Sequence, residues 1–315
     1  MALDKKKAKR VAYQAAAAAA LAAALWFIAS NTAANLHARH ISSGFGFLGR
    51  EAGFEIGEHF LVAYDSAGSY LRALAVGLAN TFKVALLGVV LATALGTLVG
   101  LGRLSRGPEL RAACAAYVEF VRNVPLLVQL LFWYTLFTQL PPPDRALEPL
   151  HGFFLTNRGI YFPLPGSAPA LGRFNFSGGG SVSPEFAALL VGLVLYTAAF
   201  VAEIVRAAIL SVPRGQAEAG AALGLRDPQV FRSVVLPQAL RAMLPPLTSQ
   251  YLNLVKNSSL AVAIGYPDLV SIANTTINQT GQAIEGVAII MAVYLTISLS
   301  IALLMNAYNA RVMRR

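Results

Sequence analysis

The sequence predicts an all-α membrane protein that crosses the bilayer about six times. Hydrophobic residues make up 56% of the 315 residues and charged residues only 13%, whereas soluble domains carry about 25% charged residues. Mean hydropathy is +0.59. Six apolar stretches also reach the length of about 20 residues that a membrane helix needs. They are Val11–Ala29, Ala75–Leu101, Ala115–Gln139, Glu185–Leu210, Ala242–Gly265 and Glu285–Tyr308.

The first stretch follows a basic run, Lys5–Arg10, which is typical of either a membrane anchor or a cleaved signal peptide. Its apolar run is long enough to span a membrane, and no clear small-x-small cleavage site follows it. We therefore expect residues 1–30 to be a cytoplasmic start and a retained anchor, with a signal peptide as the alternative.

The distribution of basic residues predicts the orientation. With the N-terminus inside, 17 of the 25 Lys and Arg residues fall in inner segments and six in outer ones, while Lys83 and Lys256 lie within spans. Because inner loops of membrane proteins are enriched in Lys and Arg, both termini and the loop 213–237 are expected in the cytoplasm.

Two long segments, 31–72 and 140–184, are then external. The second is dense in Pro and Gly, which disfavours regular helix, so both are expected to be irregular loops without a soluble domain. Its glycine run, Gly178–Gly180, lacks the Lys-Ser/Thr ending of a phosphate-binding loop. No nucleic-acid module, metal-spaced histidines or second cysteine beside Cys114 is present. The sequence therefore predicts no catalysis, no cofactor and no nucleic-acid partner.

Within the spans, Gly96, Gly100 and Gly102 favour close helix packing. Pro125 is expected to break or kink the third stretch, and Gln129, one turn later, is a candidate pathway residue. Lys83 is expected to snorkel near the outer end of its span.

Lys256 is the sharpest polar signal, because a charge at mid-membrane costs about 2.5–3.5 kcal/mol on insertion scales. Asn257 and Ser258 follow it directly. Together with Gln129, these three residues are the predicted substrate pathway. The alternative is a Lys256 that snorkels or braces a neighbouring helix. Two (i, i+3) pairs near the inner helix ends, Glu119–Arg122 and Glu203–Arg206, favour structural ion pairs.

The loop 213–237 predicts a helical hairpin. A short helix from Arg214 is expected to end at Gly224 in a positive-φ turn, and a second helix begins near Gln229. Pro237 is expected to end or bend that second helix.

This loop resembles the signature loop of ABC-importer permeases, in which Glu-Ala-Ala, Gly and Ile-x-Leu-Pro stand at fixed spacing. The matching residues are Glu218, Ala219, Gly220, Gly224, Val234, Leu236 and Pro237. Gly220 replaces Ala and adds about 1 kcal/mol of helix cost, and Val234 replaces Ile. Except for Val234, these residues are the predicted ATPase-coupling site.

Further blocks resemble the polar-amino-acid branch, which includes histidine and glutamine permeases. They are Asn80–Phe82, Arg122–Gln129, Leu236–Arg241 and Lys256–Leu260. The resemblance covers about residues 73–312 as a five-helix core, with one extra N-terminal helix. That extra helix and residues 44–57 are similar to general L-amino-acid permeases.

The resemblance implies the permease subunit of an ATP-driven amino-acid importer in a bacterial inner membrane. It implies four kinds of neighbour besides lipid: a second permease chain (a sibling or a copy), two cytoplasmic ATPase subunits that hydrolyse ATP, and an external amino-acid-binding protein. An ion-coupled secondary transporter or channel for small polar solutes is the alternative. Such a protein is expected to show internal repeats and embedded carboxylates, whereas here the acids lie near span ends. A membrane scaffold would not need the spaced loop.

Overall fold

The computed structural model describes residues 2–38 and 43–313, which form mainly helices. These are α1 Ala2–Ala38, α2 Tyr70–Gly102, α3 Pro108–Asn123, α4 Leu126–Thr138, α5 Pro184–Leu210, α6 Arg214–Ala222, α7 Asp227–Val230, α8 Leu236–Asn257, α9 Leu269–Thr280 and α10 Ala283–Met313. A π segment, Phe231–Val235, joins α7 to α8, and a 3₁₀ segment, Ser258–Ile264, extends α8. Within these described residues, four helices are long and apolar enough to cross a membrane, and the number is six if each of two bent pairs is one span. The prediction of about six spans is confirmed on that reading.

The third predicted span is not one helix. Helices α3 and α4 meet at an angle of 104°, so the break expected at Pro125 is confirmed and is sharper than a kink. Proline disfavours helical geometry in the residue before it, and Val124 is indeed extended, with φ −96° and ψ 128°. The second bent pair joins the helical run Asp227–Ile264 to α9 at 51°.

The segment 140–184 is not irregular, so that expectation is wrong. It contains strands β1 Leu147–Leu150, β2 Phe153–Thr156, β3 Gly159–Phe162, β4 Ala170–Leu171, β5 Phe176–Ser177 and β6 Gly180–Val182. An antiparallel sheet has the order β1-β2-β3-β6, and β4 pairs with β5. Aromatic side chains supply the packing that the composition did not reveal, because Phe154 stacks on Phe176 with ring centroids 4.4 Å apart. The glycines serve the turns between strands, as the positive φ of Gly152 and Gly178 indicates.

Helices α2 and α5 form the centre of the bundle. A Cβ added at Gly96 would lie 2.6 Å from Val201 Cβ, and one at Gly100 would lie 2.7 Å from the Ala202 carbonyl oxygen. Small residues allow this close approach, so the predicted packing role of these two glycines is confirmed. Gly102 meets Cys114 of α3 in the same way, at 2.6 Å from Sγ.

Residues 43–69, which precede α2, pack on the bundle. Phe47 and Ile56 are buried in a cluster with residues of α2 and α9, and the Gly44 N–H donates to Glu285 Oε1 at 2.5 Å. By contrast, the apolar stretch of α1 is not buried against any other described residue.

Candidate functional site

The hairpin of residues 213–237 ends its first helix in a Schellman motif. Gly224 has φ +83°, the left-handed conformation that glycine adopts without cost. The Leu225 N–H donates to the Gly220 carbonyl at 3.2 Å, and the Gly224 N–H donates to the Ala221 carbonyl at 2.9 Å. These two bonds satisfy carbonyls that a helix end leaves unpaired. The predicted turn at Gly224 is therefore confirmed.

Gly220 is the point where the two arms of the hairpin touch. It is buried, and a Cβ there would lie 3.3 Å from Val230 Cγ2 and 3.5 Å from Val234 Cγ2. Glycine thus allows α6 to approach α7 and the π segment closely. This contact offsets the helix propensity that glycine loses at this position.

Glu218 and Ala219 lie on the exposed side of α6. No ion pair of Glu218 is found among the residues that the structure describes. The hairpin therefore presents a free carboxylate beside a small side chain, which suits contact with a basic partner surface.

Pro237 does not end the second helix, so of the two expected outcomes, an end or a bend, the end is wrong. The helical run continues from Asp227 to Ile264, with Leu236 and Pro237 in the first turn of α8. Proline lacks the N–H of an α-helical bond and clashes with a carbonyl one turn back. The π segment before it provides a wider turn, in which the Leu236 N–H bonds to the Phe231 carbonyl five residues earlier.

Ion pairs lie near the C-terminal ends of α2 and α5, and one of them reaches the hairpin. The predicted pair within α5 is confirmed: Arg206 contacts Glu203 at 2.6 Å, and Arg103 at the end of α2 contacts the same carboxylate. Arg106 reaches Asp227 of the hairpin at 3.1 Å, with both side chains exposed. The contacts of Arg103 and Arg106 could not be predicted from sequence spacing, because their partners lie 100 and 121 residues away.

The second predicted pair does not form in the described structure. Arg122 lies over the Phe200 ring at 4.9 Å from its centroid, and Glu119 makes no ion pair within the described residues. An aromatic face attracts a guanidinium, and the (i, i+3) spacing alone did not reveal this competitor.

Lys256 opens onto a groove between the end of α8 and α10. The groove has a volume of about 410 Å³ and is lined by Lys256, Ser259, Val270, Ile290, Met291, Tyr294, Leu295 and Ser298. Lys256 is exposed, whereas Ser258 is fully buried and donates to the Val255 carbonyl at 2.7 Å. Asn257 is half-buried at the last position of α8. Only Lys256 of the predicted pathway residues lines this groove.

Gln129 lies elsewhere, at the break between α3 and α4. Its Nε2 donates to the carbonyls of Val121 and Val124 at 2.9 and 3.0 Å, which α3 leaves unpaired at its end. It also lines a separate, largely apolar groove of about 310 Å³ beside Trp133 and Leu195. The structure thus gives Gln129 a bracing contact and does not bring it to the Lys256 groove.

At the opposite end of the bundle from the hairpin, Lys83 does not snorkel, so that expectation is wrong. It contacts Glu58 Oε1 at 2.5 Å and lies 4.0 Å from the Phe186 ring centroid. Glu58 also accepts from the Ser183 hydroxyl, and its backbone carbonyl accepts from Asn80 Nδ2 at 2.9 Å. We call Glu58, Lys83, Ser183 and Asn80 the Glu58 cluster. The sequence did not predict this cluster, although it showed that Lys83 is a charged residue within a span.

A buried carboxylate was also missed. Asp268 is fully buried in the link between the 3₁₀ segment and α9, and it caps α9 by accepting from the Ser271 N–H at 2.8 Å. Asp268 lies three residues beyond Gly265, where the fifth predicted span ends, so it agrees with the expectation of acids near span ends. In residues 2–38 and 43–313, no three His, Cys, Asp or Glu side chains are grouped as ligands for a metal ion.

Comparison with known proteins shows which proteins the whole chain resembles. The chain is 41% identical to the general L-amino acid transport system permease protein AapQ of Rhizobium johnstonii, over 97% of this chain and 92% of that protein. It is 33% identical to the glutamate/glutamine/aspartate/asparagine transport system permease protein BztB of Rhodobacter capsulatus, over 92% of this chain and 90% of that protein.

Among solved structures, the chain resembles a crystal structure of an amino acid ABC transporter with histidines, at a TM-score of 0.59 and 27% identity. The match covers 77% of this chain and 95% of that one. Residues 92–314 match the family described as binding-protein-dependent transport system inner membrane component. The chain therefore belongs to that family, in the branch formed by the permeases of amino-acid ABC transporters.

Proposed function

We propose that this chain is the permease subunit of an ATP-driven importer of amino acids. It forms the translocation pathway with a second permease chain, a sibling rather than a copy. Two ATPase subunits hydrolyse ATP, one of which binds the 213–237 hairpin of this chain, and a binding protein delivers the amino acid on the other side. The observation that carries this proposal is the spaced loop itself, which is built as a closed hairpin with Glu218 exposed.

The coupling role rests on the rigidity of the hairpin. The Schellman turn at Gly224 and the contact of Gly220 with Val230 and Val234 hold its two arms together. The helical run from Asp227 to Ile264 then continues into the bundle. A push on the hairpin is therefore transmitted to the membrane part as rigid-body motion, and Glu218 meets a basic residue of the ATPase.

Reversing the charge of Glu218 tests this role. In the purified complex, Glu218→Arg should abolish substrate-stimulated ATP hydrolysis while the chain still reaches the membrane. Gln216→Arg, which adds a cation at another exposed position of α6, is the matched control and should retain most of the activity. Normal uptake by the Glu218 variant would remove the docking assignment. Failure of any ATPase subunit to co-purify with the wild-type chain would favour an ion-coupled transporter.

The orientation that this proposal requires places both termini in the cytoplasm of a bacterial cell, with the chain in the inner membrane. A reporter that is active only outside the cytoplasm should be active when fused after Gly68 and silent when fused after Arg226. The reverse pattern would overturn the orientation. A mature chain that begins near Asn31 by mass spectrometry would show that the first helix is a signal peptide.

We further propose that the Lys256 groove is part of the pathway. Every amino acid carries a carboxylate, and Lys256 is a cation that opens onto a groove with hydroxyls of Ser259 and Ser298 in an otherwise apolar wall. Asn257 and Ser258 support the turn that holds Lys256, and Gln129 contributes from its own groove. Lys256→Met should cut uptake while basal ATP hydrolysis and assembly persist. Normal uptake, or loss of assembly, would remove Lys256 from the pathway.

A further inference from the structure

Tyr294 connects the Lys256 groove to a buried polar cluster. On α10, the groove is lined by one helical face at i, i+1, i+4, i+5 and i+8, and Tyr294 lies at the centre of that face. Tyr294 lines the groove together with Ile290, Leu295 and Ser298 of the same helix. The hydroxyl at the far end of the ring is enclosed by protein.

That hydroxyl lies beside the side chains of Asp268, Thr81 and Ser258, which come from three other elements. It does not have the geometry of a direct hydrogen bond to any of them, and the Asp268 Oδ2 atom, also buried, is unpaired as well. Buried polar atoms are nearly always hydrogen-bonded, directly or through water. A phenol donor and a carboxylate acceptor are complementary, so a small rotation or one water molecule satisfies both.

We infer that Tyr294 is a positioning residue for the amino acid in the Lys256 groove, held in place by Asp268. This inference rests on the proposed role of the groove. The carboxylate of the amino acid lies at Lys256, and its side chain lies along the Tyr294 ring. Because the hydroxyl end of the ring is enclosed beside Asp268, the cap of α9, the width of the groove depends on how α9 and α10 pack. Asp268 acts only through Tyr294 and does not contact the substrate.

Equilibrium binding to the purified permease–ATPase complex without the binding protein tests the inference. The probe is the radiolabelled L-amino acid that wild-type complex imports fastest, chosen from glutamine, glutamate, alanine and arginine. Tyr294→Phe keeps the ring and removes only the hydroxyl, and it should raise the Kd about five- to tenfold, the size of one lost hydrogen bond. Asp268→Asn should raise the Kd to a similar extent, and the double variant should be no weaker than either single one.

Tyr251→Phe is the matched control, because it makes the same change on α8 at a hydroxyl that contacts Thr93 Oγ1 at 2.9 Å. Its Kd should equal that of the wild type. An unchanged Kd in Tyr294→Phe, with or without a lower unfolding temperature, would overturn the inference and leave Tyr294 a structural brace. Failure of both the Tyr294 and Asp268 variants to assemble would overturn it equally.

Lys256→Met separates this inference from the proposal on which it depends. If that change leaves the Kd unaltered, the groove is not the binding site and both ideas fall. If it raises the Kd while Tyr294→Phe does not, only the positioning role is wrong.

Discussion

The 213–237 hairpin and the Glu58 cluster lie at opposite ends of the bundle and are held together differently. In the hairpin, Gly224 and Gly220 bond or pack with partners no more than 14 residues away. In the Glu58 cluster, Ser183 reaches Glu58 across 125 residues, and Asn80 reaches the Pro267 carbonyl across 187. The spacing of nearby residues therefore predicts the hairpin but does not predict the Glu58 cluster. A sequence motif indicates contacts between residues that are close together in the sequence.

The two regions also differ in how their charges are used. Glu218 is exposed and makes no ion pair within the described part of the chain, whereas Glu58 is partly enclosed and engaged by both Lys83 and Ser183. The free charge of Glu218 on a rigid hairpin is suited to binding a partner protein, so it should affect coupling. The enclosed Glu58–Lys83 pair is suited to holding helices together, so it should affect stability.

The largest effect should come from the turn of the hairpin. Gly224→Val forces a β-branched residue to φ +83°, a strain of about 1–3 kcal/mol that opens the Schellman turn. Substrate-stimulated ATP hydrolysis of the complex should fall below about a tenth of the wild-type rate as the docking geometry is lost. Gly215→Val is the control, because Gly215 lies in α6 outside the left-handed region with open space around it. Equal loss in both variants would contradict a role for the turn itself.

The Glu58 cluster should affect stability before activity. Its ion pair is about one-fifth exposed on each side, 18% at Glu58 and 20% at Lys83, so its value lies between surface and buried pairs. Glu58→Gln and Lys83→Met should each cost about 1–3 kcal/mol, with a coupling of at least about 1 kcal/mol in a double-mutant cycle. Thermal unfolding in detergent measures both. Asp144→Asn, at an exposed pair, is the control, and additive effects of Glu58 and Lys83 would show that they do not hold the helices together.

A smaller effect should follow from restoring the alanine of the signature loop. Gly220→Ala gains about 1 kcal/mol of helix propensity but places a Cβ 3.3 Å from Val230 Cγ2. The two effects should nearly cancel, so the unfolding free energy should change by less than about 0.5 kcal/mol. In a Val230→Ala background, where the contact is relieved, the same change should stabilise. A clear stabilisation in the wild-type background would show that the arms of the hairpin are not in close contact.

The smallest effect should come from the ion pair that links the hairpin to the α2 end. Arg106 and Asp227 are both more than four-fifths exposed, and exposed pairs contribute little and are screened by salt. Arg106→Gln should leave the unfolding temperature unchanged within measurement error, at low and at high salt. Arg103→Gln, at the more enclosed Glu203 pair, should lower it. If Arg106→Gln lowers the unfolding temperature more than Arg103→Gln does, the bundle depends on the hairpin for stability. The contrast between the two regions then fails.

The sequence by itself determined the membrane class, the number of spans, the break at Pro125 and the turn at Gly224. Each of these follows from local rules: apolar length, the restriction that proline places on its neighbour, and the conformational freedom of glycine. Tertiary structure alone decided the partners of Lys83, Arg103 and Arg122, the sheet within 140–184 and the burial of Asp268. The partners of these three cations lie 25 or more residues away in the sequence. The sheet also joins β3 to β6 across about 20 residues of Pro- and Gly-rich chain, which the composition disguised. Lys256 shows the limit most clearly, since its charge was evident in the sequence but the groove beside α10 was not.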